Sequence, residues 1–276
     1  MPELPEAETI VRGLRSRIVG ETIVRAEVLK ADILREPKHA FTRKLPGRTI
    51  VAVERRAKNV LIRLDGDRLI AVNLGMTGGL LPFPRPPRGA ARPTHPAVRF
   101  RFVSGGVLVF DDTRRFGTVE CLTTEAWQSR SDRMGPEPLE DGYTADHLHA
   151  ALARSRSPIR SWLLDQRRVA GVGNIYAAEA LFLAGVHPTT PARDIGGVEA
   201  TALHGAIRSV LREAIHAGGT TIRDYRNAEG DEGQYSQQLN VYGREGETCT
   251  RCQSLIEKVV FGNRSAFYCP RCQPAP

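Results

Sequence analysis

Cys249, Cys252, Cys269 and Cys272 form two Cys-x2-Cys pairs separated by 16 residues, and no other feature restricts the fold of this chain so tightly. Two such pairs can wrap one tetrahedral metal ion. The spacing matches a structural zinc site, with iron on the same ligands or two disulfides as the alternatives. A chain kept in a reducing compartment disfavours disulfides. Four protein ligands close the coordination sphere, so no catalysis is expected at the metal. Between the pairs, residues 258–268 read as strand, Gly262-Asn263 turn, strand, which makes a small zinc hairpin. Arg264 stands just past the turn, where it can meet a phosphate or a DNA groove, or simply be solvated. The fifth cysteine, Cys121, reads as a small buried hydrophobe.

A net charge of +8 suggests a polyanionic partner, with a merely basic soluble enzyme as the alternative. Of the 39 basic residues only Lys30, Lys38, Lys44, Lys58 and Lys258 are lysines. Coding bias is one explanation of that ratio; the other is that each lysine marks a place where arginine, which does not lose its proton, would not serve. No apolar run of about 18 residues occurs, and no basic-then-apolar segment opens the chain. The expectation is an intracellular, cytoplasmic chain with no membrane partner, and a monomer.

The chain opens Met1-Pro2-Glu3-Leu4-Pro5-Glu6. Proline is small enough for Met1 to be clipped, which would leave a secondary amine next to a carboxylate. An α-amino group titrates near ~8 and lysine near ~10.4, so about a tenth of the former is neutral at pH 7. A neutral amine can attack a carbonyl-like carbon and give a Schiff base. Glu3 and Glu6 are proton carriers within reach along the chain. The plain alternative is a processed terminus with acids at a helix start.

That helix is expected over residues 5–18, where Ala7, Ile10, Val11, Leu14 and Ile18 keep the helical period. Strands follow at 22–29 and 49–53. Residues 60–64 and 68–72 flank Asp65-Gly66-Asp67 as one hairpin, and 98–103 and 107–110 flank Ser104-Gly105-Gly106 as a second. Residues 82–96 hold six prolines and are expected to loop over the surface. Residues 1–130 therefore read as a β-sandwich with one N-terminal helix, and 131–142 as a linker. The pattern then turns helical over 143–240. Thr144 can cap a helix to about Arg154, and Ser157-Pro158 opens another. Gly171-Val172-Gly173-Asn174 leads into a helix that stops at Gly185. Residues 198–215 make a long amphipathic helix. Residues 224–238 are polar and glycine-punctuated, a functional or disordered loop. Residues 241–276 are the cysteine module. The class is α+β, multidomain.

Several shorter motifs carry chemistry. Gly171-Val172-Gly173-Asn174 at a helix start is a phosphate cradle or a plain turn. Met76 and Phe116 sit in loops after the two hairpins, the latter beside Arg114 and Arg115. Apolar tips near arginine suit insertion into a base stack, and core packing is the alternative. Lys58, before a strand, can bind phosphate or neutralise a charge developing near the amine, with an ordinary solvated lysine as the alternative.

Together these motifs resemble one family. The opening Met-Pro-Glu-Leu-Pro-Glu, Arg-Arg-Ala-Lys at 55–58, Leu-Gly-Met at 74–76, Arg-Arg-Phe-Gly at 114–117, Gly-Val-Gly-Asn-Ile-Tyr at 171–176, Gly-Gly-Thr-Thr at 218–221, Val-Tyr-Gly-Arg at 241–244 and the zinc hairpin are similar to those of the bacterial formamidopyrimidine-DNA glycosylases. The resemblance runs from residue 2 to residue 272. It implies an N-terminal β-sandwich, a helix–two-turn–helix domain and a zinc finger, with duplex DNA carrying oxidised bases or abasic sites in the cleft between them. It implies excision of oxidised purines by Pro2 as nucleophile at C1′, with Glu3 moving protons, and strand cleavage by β,δ-elimination. Glu6 would be the second acid near the site and Lys58 a contact to phosphate or damaged base. Asn174 and Arg264 would clamp phosphate. Met76, Arg114 and Phe116 would fill the hole left by the flipped base, with Arg115 on the DNA backbone. One structural zinc ion is the only cofactor implied. Asn73 stands where the family often carries a histidine, and Asp231 and Glu232 lie where lysine or proline is common in the lesion loop. An endonuclease VIII-like enzyme for oxidised pyrimidines is the sister reading, against which Leu4 and the long 224–238 loop argue. A non-catalytic zinc DNA-binding protein would leave Pro2-Glu3 unexplained.

Overall fold

The computed structural model describes residues 2–222, 225–228, 230–261 and 264–276, with Phe261 described by its backbone alone. The processing of Met1, the Gly262-Asn263 turn, and Asp224 and Glu229 of the polar loop lie outside the described residues. The chain divides into two compact units. One holds the residues up to Arg133 together with Ile215–Ser236, and the other holds Met134–Ala214 and Gln237–Pro276.

The first unit begins with α1 (Leu4–Ile18). Pro5 stands in its first turn, where the missing N–H has no helical partner to lose. Ala7, Ile10, Val11, Leu14 and Ile18 are all essentially buried, so the helical period is the core face. The strands are β1 (Ile23–Val28), β2 (Ile50–Arg56), β3 (Asn59–Leu64), β4 (Arg68–Asn73), β5 (Gly78–Phe83), β6 (Pro96–Phe102), β7 (Val107–Asp112) and β8 (Thr118–Thr123). They form two antiparallel sheets, β1-β6-β7-β5 and β2-β3-β4-β8. Both expected hairpins form, with Val60 opposite Val72 and Ile62 opposite Ile70 in the first, and Phe100 opposite Leu108 in the second. Side chains of α1 and both sheets make one continuous core.

Among the described residues, two strands and two α-helices arise that sequence patterning did not indicate: β5, β8, α2 (Lys38–Arg43) and α3 (Thr124–Ser131). β5 contains Gly78, Gly79 and Pro82, all poor strand formers, but it is an edge strand. An edge tolerates a residue without a backbone donor. The expected proline loop is thus shortened, because Pro82 pairs opposite Leu108 and Pro96 opens β6.

Residues 215–236, read from sequence as part of the helical stretch, group with the first unit. Tyr225 and Ala228 of the polar loop are buried in its core.

The second unit carries α4 (Ala145–Leu152), α5 (Ile159–Leu164), α6 (Asn174–Ala184), most of α7 (Gly197–His216), and the hairpin β9 (Glu257–Phe261) and β10 (Arg264–Tyr268). Thr144 caps α4 by accepting from the His147 amide at 3.3 Å. Helix α6 contributes Ala178 and Phe182 to a small core with Val241, Cys249, Ile256 and Cys269. Buried Gln273 pins the module from its other end: its Nε2 donates to the Val186 carbonyl at 2.8 Å and its Oε1 accepts from the Cys269 amide at 3.0 Å. Among the described residues no helix is long and apolar enough to cross a membrane.

Glu179 on α6 is fully buried and accepts from the backbone amides of Asn240, Val241 and Tyr242 at 2.8–3.0 Å. Glu179→Ala should lower the free energy of unfolding by about 3 kcal/mol, since each buried donor left without an acceptor costs ~1–3 kcal/mol. A denaturant melt measures this. An unchanged midpoint would mean that these amides find other partners.

Candidate active site and nucleic-acid interface

The N-terminal turn of α1 is buried. Pro2 is buried, and Glu3 and Glu6 are each 1% exposed. Carboxylates in such a place are retained only with good partners. Glu6 Oε2 accepts from the Glu3 amide at 2.7 Å, so the peptide just after Pro2 is pinned. Glu6 Oε1 accepts from the Thr220 amide at 2.7 Å. One side chain therefore ties the chain terminus to a segment more than two hundred residues away.

That segment is itself fixed. Thr220 pairs with Gln234 in an isolated antiparallel bridge. The Gly233 amide donates to Thr221 Oγ1 at 2.8 Å, and the Tyr225 hydroxyl donates to the Gly218 carbonyl at 3.2 Å. Gly219 has φ +90°, and a Cβ there would stand 3.0 Å from Glu6 Oε1. Glycine allows both the backbone conformation and the close approach to the carboxylate.

Lys58 is half-buried in the two-residue turn Ala57-Lys58 that joins β2 to β3, with Ala57 at φ +55°. Three residues before it, Arg55 Nε donates to Glu8 Oε2 at 3.0 Å, and Arg12 Nε donates to Glu8 Oε1 at 2.9 Å. Burial pushes the Glu8 carboxyl up, but these hydrogen bonds and charges outweigh it and hold Glu8 below the usual carboxylate range. The end of β2 is thus fastened to α1.

Met76, Arg114, Arg115 and Phe116 occupy two loops of the same unit. Met76 is half-buried and Phe116 is 57% exposed. The Arg114 guanidinium lies 4.7 Å from the Phe116 ring centroid, a cation–π contact. Arg115, at φ +54°, pairs with Asp32 at 3.0 Å. Asn73 turns its amide inward, donating to Asn59 Oδ1 and accepting from the Gly75 amide, both at 3.1 Å.

In the second unit, Asn174 opens α6. Its Oδ1 accepts from Arg160 at 2.6 Å and its Nδ2 donates to the Ser265 carbonyl at 3.2 Å. Arg160, 2% exposed, also donates to that carbonyl at 2.9 Å. Ser265 follows Arg264, which is exposed on β10. Asn174 and Arg264 are therefore brought together around Arg160, which nothing in the sequence singled out. Burial and the nearby Arg264 charge pull the Arg160 guanidinium below its usual range.

The Sγ atoms of Cys249, Cys252, Cys269 and Cys272 all lie within 4.8 Å of one another. Cys252 and Cys269 approach to 3.4 Å and Cys249 and Cys272 to 3.9 Å, far beyond a disulfide bond. With Zn–S near 2.3 Å, a tetrahedron needs sulfurs about 3.8 Å apart, and these fit. The amides of Arg251 and Cys272 donate to Cys249 and Cys269 sulfurs at 3.4 Å, as amides do to metal-bound thiolates. The four cysteines are the cage of one structural zinc ion.

Comparison with known proteins agrees over the whole length. Residues 1–119 match the formamidopyrimidine-DNA glycosylase N-terminal domain, 134–226 the formamidopyrimidine-DNA glycosylase H2TH domain, and 246–275 the zinc finger found in FPG and IleRS. The chain is 41% identical to the formamidopyrimidine-DNA glycosylase of Streptococcus pneumoniae over 275 residues, 99% of each chain. It is 43% identical to that of Chloroflexus aggregans over 276 residues, covering 99% of this chain and 98% of the relative. Among solved structures, the Lactococcus lactis Fpg in complex with DNA containing an abasic site superposes with a TM-score of 0.91 at 32% identity, covering 99% of this chain and 100% of the other. The same protein with DNA containing Fapy-dG gives 0.90 at 32% identity, with the same coverage.

Proposed function

Because this chain belongs to the formamidopyrimidine-DNA glycosylase family, we propose that it is a bifunctional DNA glycosylase and lyase acting on oxidised purines, chiefly 8-oxoguanine and formamidopyrimidines, in duplex DNA. The observation that carries the reading is the buried N-terminal turn, in which Glu6 fixes the amide after Pro2 on one side and the Thr220 segment on the other.

In this reading the freed Pro2 nitrogen attacks C1′ of the damaged nucleotide. The C1′–N bond breaks, the proton given up by the attacking amine leaves with the base, and Glu3 supplies a proton to O4′ as the sugar ring opens. A secondary amine can form only a cationic iminium, which draws electrons from C2′. Loss of a C2′ proton expels the 3′ phosphate, and a further elimination expels the 5′ phosphate. A one-nucleotide gap remains. Both Glu6 oxygens accept backbone donors, which makes Glu6 a positioning group and leaves proton transfer to Glu3. Lys58 meets phosphate or the damaged base. Asn174 and Arg264 hold phosphate, Arg115 lies along the backbone, and Met76, Arg114 and Phe116 fill the space of the extruded nucleotide, an extrusion that costs a few kcal/mol. Zinc, when bound, supplies only the hairpin's fold.

Borohydride trapping on two duplexes tests this, one with 8-oxoguanine opposite cytosine and one with an oxidised thymine. The expected result is an adduct on the guanine lesion that maps to Pro2. An adduct mainly on the thymine lesion would assign the chain to pyrimidine repair, and bound DNA with no adduct would remove the catalysis.

A further inference from the structure

Asp112, at the end of β7, is 1% exposed and unaccounted for by the reaction. Its Oδ1 accepts from the Thr77 hydroxyl at 2.5 Å and its Oδ2 from the Gly117 amide at 2.8 Å. The Thr77 hydroxyl in turn accepts from the Arg114 amide at 3.0 Å. One buried carboxylate thus holds the Gly117 end of the Arg114–Gly117 segment and Thr77, the residue after Met76, and Thr77 in turn holds the Arg114 end. The two loops also meet back to back. Gly75 has φ +61°, and a Cβ there would stand 2.4 Å from the Gly117 nitrogen and 2.5 Å from the Phe116 carbonyl carbon. The base of the pair is packed and hydrogen-bonded, while its tip presents Phe116 and the Arg114 guanidinium to solvent.

We propose that Asp112 and Thr77 are positioning residues that join Met76, Arg114 and Phe116 into one rigid wedge, and that this brace sets how efficiently a damaged nucleotide is turned out of the duplex. The inference rests on the DNA-repair reading above. A wedge that must push against stacking transmits force only if its base does not yield. The chemistry of the brace is specific. Thr77 uses its hydroxyl both as donor and as acceptor, and Asp112 offers an acceptor at each oxygen. An amide at position 112 would turn a donor toward either the Gly117 N–H or the Thr77 hydroxyl.

The experiment compares T77V, T77S and D112N with the wild type on two DNAs. One is a duplex with 8-oxoguanine opposite cytosine, followed by single-turnover cleavage and by 2-aminopurine fluorescence beside the lesion. The other is a single strand with an aldehydic abasic site, followed by borohydride trapping, which needs no extrusion. T77V keeps the side-chain shape and should cut the duplex on the order of tenfold to a hundredfold more slowly, as a misplaced positioning group does. It should trap the single strand at the wild-type rate, and T77S should restore duplex cleavage. D112N should show the same split. Wild-type duplex rates in both T77V and D112N would overturn the brace, and so would equal losses on the two DNAs. A wild-type protein that reacts with neither DNA would instead overturn the function on which the brace depends.

Discussion

Blocking the Pro2 amine, by one added residue ahead of it or by retention of Met1, is expected to abolish strand cleavage while DNA binding persists. The loss should be a thousandfold or more, on the order seen when a covalent nucleophile is removed. An acylated nitrogen has its lone pair delocalised into the amide and cannot form an iminium. The contacts proposed to hold DNA lie elsewhere, on Lys58, Asn174, Arg264 and the Met76 and Phe116 loops, so an electrophoretic shift with lesion DNA should change little. The two readouts separate the chemistry from the fold. Full cleavage by the extended protein would exclude the terminal amine as nucleophile. Loss of binding together with cleavage would instead mean that the extension disturbs the turn held by Glu6.

Replacing Cys249 by serine is expected to release the zinc and unfold the module. Structural zinc contributes on the order of 10 kcal/mol to small domains of this kind. The apolar cluster beneath it is small, its buried members being Val241, Cys249, Ile256 and Cys269 against Ala178 and Phe182. Without the hairpin, the Ser265 carbonyl is lost to Arg160 and Asn174, and the proposed phosphate clamp loses both Arg264 and its alignment. Metal analysis should fall from one zinc per chain to none. Affinity for lesion duplex should fall at least about tenfold, the worth of one or two charge-assisted contacts. The sandwich should stay folded, because its core contains no residue of the module. A folded, fully active apo-protein would refute the structural role.

The parts of the fold legible in the sequence are those governed by local rules. The apolar period of α1, the Thr144 cap, the Asp65-Gly66-Asp67 and Ser104-Gly105-Gly106 turns and the cysteine spacing each act over a few residues to a few tens. β5 was illegible because two glycines and a proline mask a strand that pairing with β7 stabilises. The polar 224–238 stretch gave no hint that Tyr225 and Ala228 enter the first unit's core. Two aromatic or small residues in a glycine-rich run have no period to read. Nothing in the sequence around Arg160 or Asp112 marks either charge for burial.

The sequence by itself determined the chemistry that is available: a proline amine beside two carboxylates, four thiolates at zinc spacing, and apolar loop residues next to arginine. Only the tertiary structure decided which of these groups meet. Glu6 finds the Thr220 amide 214 positions away, and Arg160 finds the Ser265 carbonyl 105 positions away. Such pairs have no local signature, because a hydrogen bond constrains distance in space and leaves separation along the chain free. The Asp112 brace is shorter-ranged, 35 positions to Thr77, yet equally silent in sequence. Its carboxylate takes a role only once β7 and the turn before β5 bring the two loops back to back.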